Sequence, residues 1–579
     1  MKHLISFRWP LVAVCLFVFL QLCCSYHFYY IEQNQLFLFT TDYFLSALKV
    51  PGGLTVYMAE WITQFFMLPY AGPLAVSILL TCAGMLCEAL FKRLNAGKYG
   101  FVCSLFPLVS LLLAHFNFNY YTQGTVAYLF MLGALYLTLR IADVTKRLIA
   151  ATLVAVGLFL LSGSVAILYA LCLFMITILN RTKRWYLFAL PVAVTLVLAL
   201  VSVRFACFGH YRFALLPDAY YHPQSLPVAS IYISWWILPF LLFAVKLLSS
   251  KQQGRTMWLK QGVLAAVLVG FTYWGIQSYG DFKSAKLKEL DFYARTQQWP
   301  KIIEACKGKV TNLLYMNYLN MALAREGMLG DQMFAFDQRE PRSLMVNWNK
   351  TAEVSALLSD VYFAIGDIAS AQEMAFEGNV AVHGYGSPRM LMRLVQTNLI
   401  YGAYPVAEKY ISLLEHTFFY DKWAGSHRKF LGNDALIEQD PLLGSMRRCL
   451  PDTSRLVTVN GALADMEAVA VANPQHKAAF QYLAGVCLLS KDLAKFKELI
   501  DKYHGTPVLP SLPVPYQEAV IAFAEKDTAY WHTRGVTQEV VRRFSDYKRQ
   551  VVANRNYPNA GDLLAGSYGK TYWYFYMFK

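Results

Sequence analysis

Apolar stretches long enough to cross a bilayer recur about nine times in the first 280 residues, and the segments between them alternate between basic and nearly uncharged. A spanning helix needs about 20 apolar residues. The stretches lie near 8–26, 71–91, 100–115, 124–141, 148–162, 165–180, 186–204, 228–248 and 261–279. The shorter ones must be extended by their flanks or tilted. A tight Ser162-Gly163-Ser164 turn joins the fifth and sixth. The expected fold is all-α: a polytopic membrane domain over 1–280, with an outside loop at 27–70, and a soluble helical-repeat domain over 281–579.

Lys and Arg mark cytoplasmic loops. Alternate segments hold Lys2 and Arg8; Lys92, Arg93 and Lys98; Arg140, Lys146 and Arg147; Arg181, Lys183 and Arg184; and Lys246, Lys251, Arg255 and Lys260. The opposite side holds only Lys49, Arg204 and Arg212. Nine spans then put the N-terminus in the cytoplasm and the tail outside. Eight spans would reverse the tail, but would have to drop a span without breaking the alternation.

The basic balance follows from this layout. Residues 1–280 carry 18 of the 52 Lys and Arg but six of the 37 acidic residues, so the sequence pI of about 9.1 is largely loop charge. A nucleic-acid partner would need a basic stripe on a soluble face, and none is expected; the lipid bilayer is the expected partner. Of eleven cysteines, eight precede residue 280, most of them inside apolar runs; Cys306, Cys449 and Cys487 are too widely spaced for a disulfide framework or a zinc site. Leu22 stands before Cys23-Cys24 where lipoprotein processing needs a small residue, so the N-terminus is expected to be an uncleaved first span.

The outside loops carry the candidate site. Within 27–70, Thr40–Lys49 and Leu54–Phe66 have helical periodicity and flank Pro51-Gly52-Gly53. Aromatic amphipathic segments of this kind lie along the membrane interface, which places Glu32, Asp42 and Glu60 near the outer surface. The next outside loop contributes His115 and Tyr120, and a third, over 205–227, contributes Arg212, Asp218, Tyr220, Tyr221 and His222, with Arg204 just before it. These residues are expected either to line a polar cavity or to form an ordinary aromatic belt. Within the spans Glu88 is followed by Lys92 at i+4. A ladder of intramembrane charges, the mark of an ion pathway, is missing, which argues against a coupled transporter.

In the tail, the frame Asp360-Val361-Tyr362-Phe363-Ala364-Ile365-Gly366-Asp367-Ile368-Ala369-Ser370-Ala371 resembles the tetratricopeptide pattern, and it recurs at Ile400–Ala407. Gly327, Gly366 and Gly402 are 39 and 36 residues apart, near the roughly 34-residue period of such repeats. Solenoids of this type bind peptides or proteins, here one on the outer side; the plainer expectation is an irregular helical layer. The aromatic end Tyr568–Phe578 is expected to dock, into the tail's core or onto the membrane interface.

The runs TTDYFL, PGGL and WITQFF in the first loop, with the terminal YGKTYWYFYMF, resemble a group of multi-pass inner-membrane proteins of Bacteroidota that share a domain of unknown function. The resemblance implies a Gram-negative inner membrane and a periplasmic tail, and no activity. In architecture the chain also resembles GT-C glycosyltransferases, which move a sugar from a polyprenyl-phosphate carrier. There a carboxylate early in the first outside loop acts as base or binds metal. That resemblance implies Asp42, then Glu60, as catalytic residues, and a divalent metal only if it holds; the paired acidic motifs of such enzymes are absent. Glu32, His115, Tyr120, Arg204, Arg212, Asp218 and His222 are candidate binding residues. The functions weighed are an envelope glycosyltransferase, a non-enzymatic scaffold recruiting periplasmic partners and, third, a transporter. Nucleotide loops, metal motifs and nucleophile elbows do not occur.

Overall fold

The computed structural model describes residues 2–94, 99–249, 256–382, 384–451 and 461–579. Lys98, Lys251 and Arg255, counted above among the basic loop residues, lie outside them. The described residues are helices and connections without a β-strand, apart from isolated bridges at Tyr120–Tyr221 and His504–Leu509. The chain divides into two compact units, one of residues 1–285 with 416–419, the other of 286–415 with 420–579.

The first unit holds α1 (Lys2–Glu32), α2 (Thr41–Leu48), α3 (Gly53–Thr63), α4 (Ala71–Arg93), α5 (Gly100–His115), α6 (Thr122–Thr138), α7 (Val144–Ser162), α8 (Val165–Leu179), α9 (Ala189–Arg204), α10 (Tyr211–Leu215), α11 (Ala229–Ser249) and α12 (Thr256–Tyr279). Among the described residues six segments are long and apolar enough to cross a membrane: Phe7–Glu32, Ala71–Arg93, Val144–Ser162, Trp185–Arg204, Ala229–Leu247 and Leu259–Tyr279. They leave Leu153, Phe240, Val263 and Val269 exposed, as lipid-facing helices do. The other three expected spans coincide with α5, α6 and α8, which have 16, 17 and 15 residues, about 22–26 Å at 1.5 Å per residue. These short helices are the inner ones. The α5 helix packs on α4, α11 and α12, α6 on α3, α4 and α8, and α8 on α7, α9 and α11. Nearly all of α5 from Cys103 to His115 is buried. A helix surrounded by protein has its ends satisfied by neighbours and need not match the hydrocarbon thickness.

Both helices expected in the first loop are present. The Thr40 hydroxyl accepts the Tyr43 N–H at 3.2 Å and starts α2. A break in helical geometry at Cys24 (φ −136°) sets the last turns of α1 apart from the preceding apolar run.

The second unit begins with α13 (Phe282–Arg295), α14 (Trp299–Ala305), α15 (Leu313–Arg325), α16 (Leu329–Gln332), α17 (Ala352–Ile365), α18 (Ile368–Ala381), α19 (Pro388–Tyr401) and α20 (Tyr404–Glu415). Consecutive helices pack as hairpins, α14 on α15, α17 on α18 and α19 on α20. At the α17–α18 turn Gly366 takes φ +93°, and a Cβ there would meet Cys449 Sγ at 3.0 Å. Asp367 then caps α18 by accepting the Ser370 N–H at 3.0 Å. A buried ionic chain joins α13, α15, α17 and α19. Arg389 donates to Asp291 and Asp360, both at 2.5 Å, Arg393 to Asp360 at 2.9 Å, and the Tyr318 hydroxyl to Asp291 at 2.9 Å. The aromatic end forms a helix, Tyr572–Phe578, inside this unit's own core. The Trp573 indole N–H donates to the Glu518 carbonyl at 2.7 Å, and the Tyr572 N–H to the Glu518 carboxylate at 2.6 Å.

Candidate functional site

The loops expected on the outer side are bonded to one another. The Gly52 N–H donates to the Leu160 carbonyl at 3.0 Å. The Pro51–Gly53 corner thereby meets the Ser162-Gly163-Ser164 turn, where a Cβ on Gly52 would lie 3.4 Å from Gly163 Cα. Gly163 itself has φ +77°, a conformation that a side chain would strain. The Tyr220 hydroxyl donates to the Ser162 carbonyl at 2.6 Å and accepts the Val165 N–H at 3.1 Å. Ser164 Oγ donates to the Leu216 carbonyl at 2.9 Å. The third loop is stitched to the second by Tyr121 N–H to Tyr220 O at 3.0 Å and His222 N–H to Asn119 O at 2.9 Å.

Glu60 sits in this assembly. It lies on α3, which packs against α6 and α7, and is 8% exposed. The Tyr43 hydroxyl donates to its carboxylate. Burial pushes the Glu60 carboxyl up to about 7, with the Tyr43 bond opposing it. Tyr121 is coupled to the same charge: burial, then Glu60 and then Tyr221, raise its hydroxyl above the ordinary tyrosine value. A carboxylate with this affinity for a proton can take or give one near neutrality.

The other candidates fall into three groups. Asp42 is exposed in the first turn of α2, where a carboxylate favours the helix start, and it makes no hydrogen bond or ion pair among the described residues. Arg204 is likewise exposed, at the C-terminal end of α9. Glu32 is buried beside Gln33, whose amide donates to it at 2.5 Å. His115, Tyr120 and Thr125 form one buried chain: His115 Nε2 lies 2.8 Å and the Tyr120 hydroxyl 3.2 Å from Thr125 Oγ1, while His27 Nε2 lies 2.8 Å from the His115 carbonyl. On the third loop Asp218 is buried and accepts the Tyr232 hydroxyl at 2.8 Å. Arg212 lies over Phe213 and donates to the Pro223 carbonyl at 3.3 Å. His222 is held through its backbone, as given above. Among the described residues, His, Cys, Asp and Glu do not gather three together at metal-binding distance.

Tyr43, Tyr121 and Tyr220 organise this face; Tyr220 was expected only as a loop residue of a polar cavity, and Tyr43 and Tyr121 were not named. Their partners lie 17, 61 and 58 positions away in sequence, so no local spacing marks them; the density of tyrosine in these loops is the only sequence signal. Searches among curated proteins and among solved structures find no match. The model of the Family of unknown function (DUF6057) matches residues 2–579, and the chain belongs to that family.

Proposed function

We propose that this chain is a nine-span inner-membrane protein with a cytoplasmic N-terminus and a periplasmic second unit, and that its outer face is an envelope glycosyltransferase site of GT-C type. Glu60 is the base. It takes the proton of an acceptor hydroxyl, whose oxygen attacks the anomeric carbon of a sugar held on polyprenyl phosphate. The bond from that carbon to the phosphate oxygen breaks, and the phosphate leaves with the electron pair. Arg212 and Arg204, on the same side, supply positive charge for the leaving group. The observation that carries the reading is the buried Glu60 carboxyl, raised to about 7 and hydrogen-bonded by Tyr43. Asp42 takes second place, because its exposed position at a helix start has a sufficient structural cause.

The topology is supported by the bonding of the outer loops to each other and by the matching set at the opposite ends of the helices. There Arg93 donates to the Leu139 carbonyl at 2.9 Å and Lys246 to Asn180 at 3.0 Å. The burial of α5, α6 and α8 accounts for their shortness as spans. In a background without native cysteines, Lys183→Cys should be shielded from an impermeant thiol reagent in cells with a permeabilised outer membrane, and Lys350→Cys labelled. The reverse pattern refutes the orientation.

A second reading is favoured by the hairpin run α14–α20, with glycine at its turns: a tetratricopeptide-like periplasmic tail that recruits a protein or peptide. Complementation of a deletion strain separates the two. Glu60→Gln should fail to restore the envelope glycan of the deletion strain at unchanged protein abundance, and Asp42→Asn should impair restoration less. Full complementation by both, with loss of function on disrupting residues 366–407 at unchanged abundance, replaces the transferase by the scaffold.

A further inference from the structure

At the end of the helices opposite Glu60, where the basic segments gather, the first unit encloses a half-open cavity of about 620 Å³ between α1, α4 and α6. This is within the size range of small-ligand sites, roughly 300–1,000 Å³. Arg8, Lys92 and Arg93 line it, and Glu88 is the single carboxylate among the lining residues. Glu88 is fully engaged. One oxygen accepts from Arg8 and from Lys92 Nζ at 3.0 Å, the other from the Trp9 indole at 2.7 Å. Sequence pattern explains the Lys92 contact alone; Arg8 and Trp9 arrive from α1, about 80 residues away.

Three cations against one carboxylate leave two positive charges at the cavity. Arg93 is held over the Tyr136 ring at 4.9 Å with one nitrogen on the Leu139 carbonyl, and among the described residues no acid pairs with it. Arg8 lies 4.6 Å from the Phe101 centroid, and its buried Nε has no hydrogen-bond partner among the described residues. Cations gathered in a partly desolvated pocket favour an anion. One wall is apolar: Met85, a turn further along α4 toward the middle of the apolar run, lines the cavity and is 49% exposed. A group with a phosphate at the helix ends and hydrocarbon beside Met85 matches both walls.

We propose that this cavity binds the phosphate of an anionic phospholipid, with the acyl chains lying against Met85. Basic pockets between spanning helices recognise such headgroups. The inference rests on α1 and α4 crossing the bilayer and is independent of the Glu60 site.

The test is native mass spectrometry of the full chain in detergent, titrated with phosphatidylglycerol or with phosphatidylcholine, which carries the same phosphate beside a compensating cation. Phosphatidylglycerol should bind at least about tenfold more tightly. Lys92→Gln with Arg93→Gln keeps the Arg8–Glu88–Trp9 contacts. At roughly fivefold per cation, it should weaken phosphatidylglycerol binding on the order of 30-fold and leave phosphatidylcholine unchanged. Met85→Trp narrows the apolar wall without touching a charge and should also weaken it. Equal binding of the two lipids by the unmodified chain overturns the proposal, whatever the variants do. Displacement of phosphatidylglycerol by millimolar inorganic phosphate overturns the lipid as occupant in favour of free phosphate.

Discussion

Replacing Glu60 by Gln should stabilise the first unit at alkaline pH and leave it nearly unchanged in acid. The carboxyl is raised from an ordinary 4.5 to about 7 in the folded chain. Between those values the folded protein holds a proton that the unfolded chain releases, so stability falls as pH rises through the window. At 1.36 kcal/mol per unit, the full penalty is about 3 kcal/mol, essentially complete by pH 8 and under 1 kcal/mol at pH 5. Gln has nearly the same shape, can still accept the Tyr43 hydroxyl and cannot ionise. Relative to the parent, Glu60→Gln should therefore gain about 2.5 kcal/mol between pH 5 and pH 8. That is a difference in Tm shift on the order of 5 °C for a unit of this size. The assay is thermal unfolding in detergent, followed by tryptophan fluorescence, with both proteins at both pH values. Other titrating groups, including Glu518, whose carboxyl burial also raises to about 7, are common to both and cancel in the difference. A Tm difference that does not change with pH, or that favours the parent at pH 8, refutes the account of Glu60 as a destabilised buried base.

Four further outcomes follow from the second unit. Trp573→Ala removes a side chain packed on Phe544 and Tyr547 and should cost about 3–5 kcal/mol in thermal unfolding. Trp573→Phe, which removes the indole bond to the Glu518 carbonyl, should cost about 1 kcal/mol. Arg389→Met leaves Asp291 as a buried charge without an ion pair among the described residues, and Asp360 with Arg393 alone; it should destabilise by about 3–5 kcal/mol, an effect that adding Asp291→Asn partly reverses. Gly366→Leu meets both the positive φ and Cys449 and should cost about 1–3 kcal/mol or more, while Gly425→Ala, where a Cβ meets nothing, should change Tm little. Residues 286–579 alone should give a helical circular dichroism spectrum; a β-rich spectrum refutes the helical-hairpin description.

The architecture was largely written in one-dimensional pattern. Apolar runs of spanning length, their alternation with Lys and Arg, the two interfacial helices around Pro51-Gly52-Gly53 and the glycine-marked hairpins of the tail depend on residues within a turn or two of each other, so local periodicity reports them. The aromatic terminus was legible as a docking element, but its place was not: only folding brings Trp573 to Glu518. The sequence marked α5, α6 and α8 as apolar but not as the inner helices, because their burial comes from neighbours far along the chain. The candidate site was legible as a set of polar and aromatic loops on one side and not as a geometry. Asp42 and Glu60 look alike in sequence, two lone carboxylates on neighbouring amphipathic helices. Their chemistry diverges because α3 buries Glu60 beneath Tyr43, whereas α2 leaves Asp42 exposed. Burial, the quantity that decides a carboxylate's proton affinity, is a property of packing between distant segments, and tertiary structure alone supplies it.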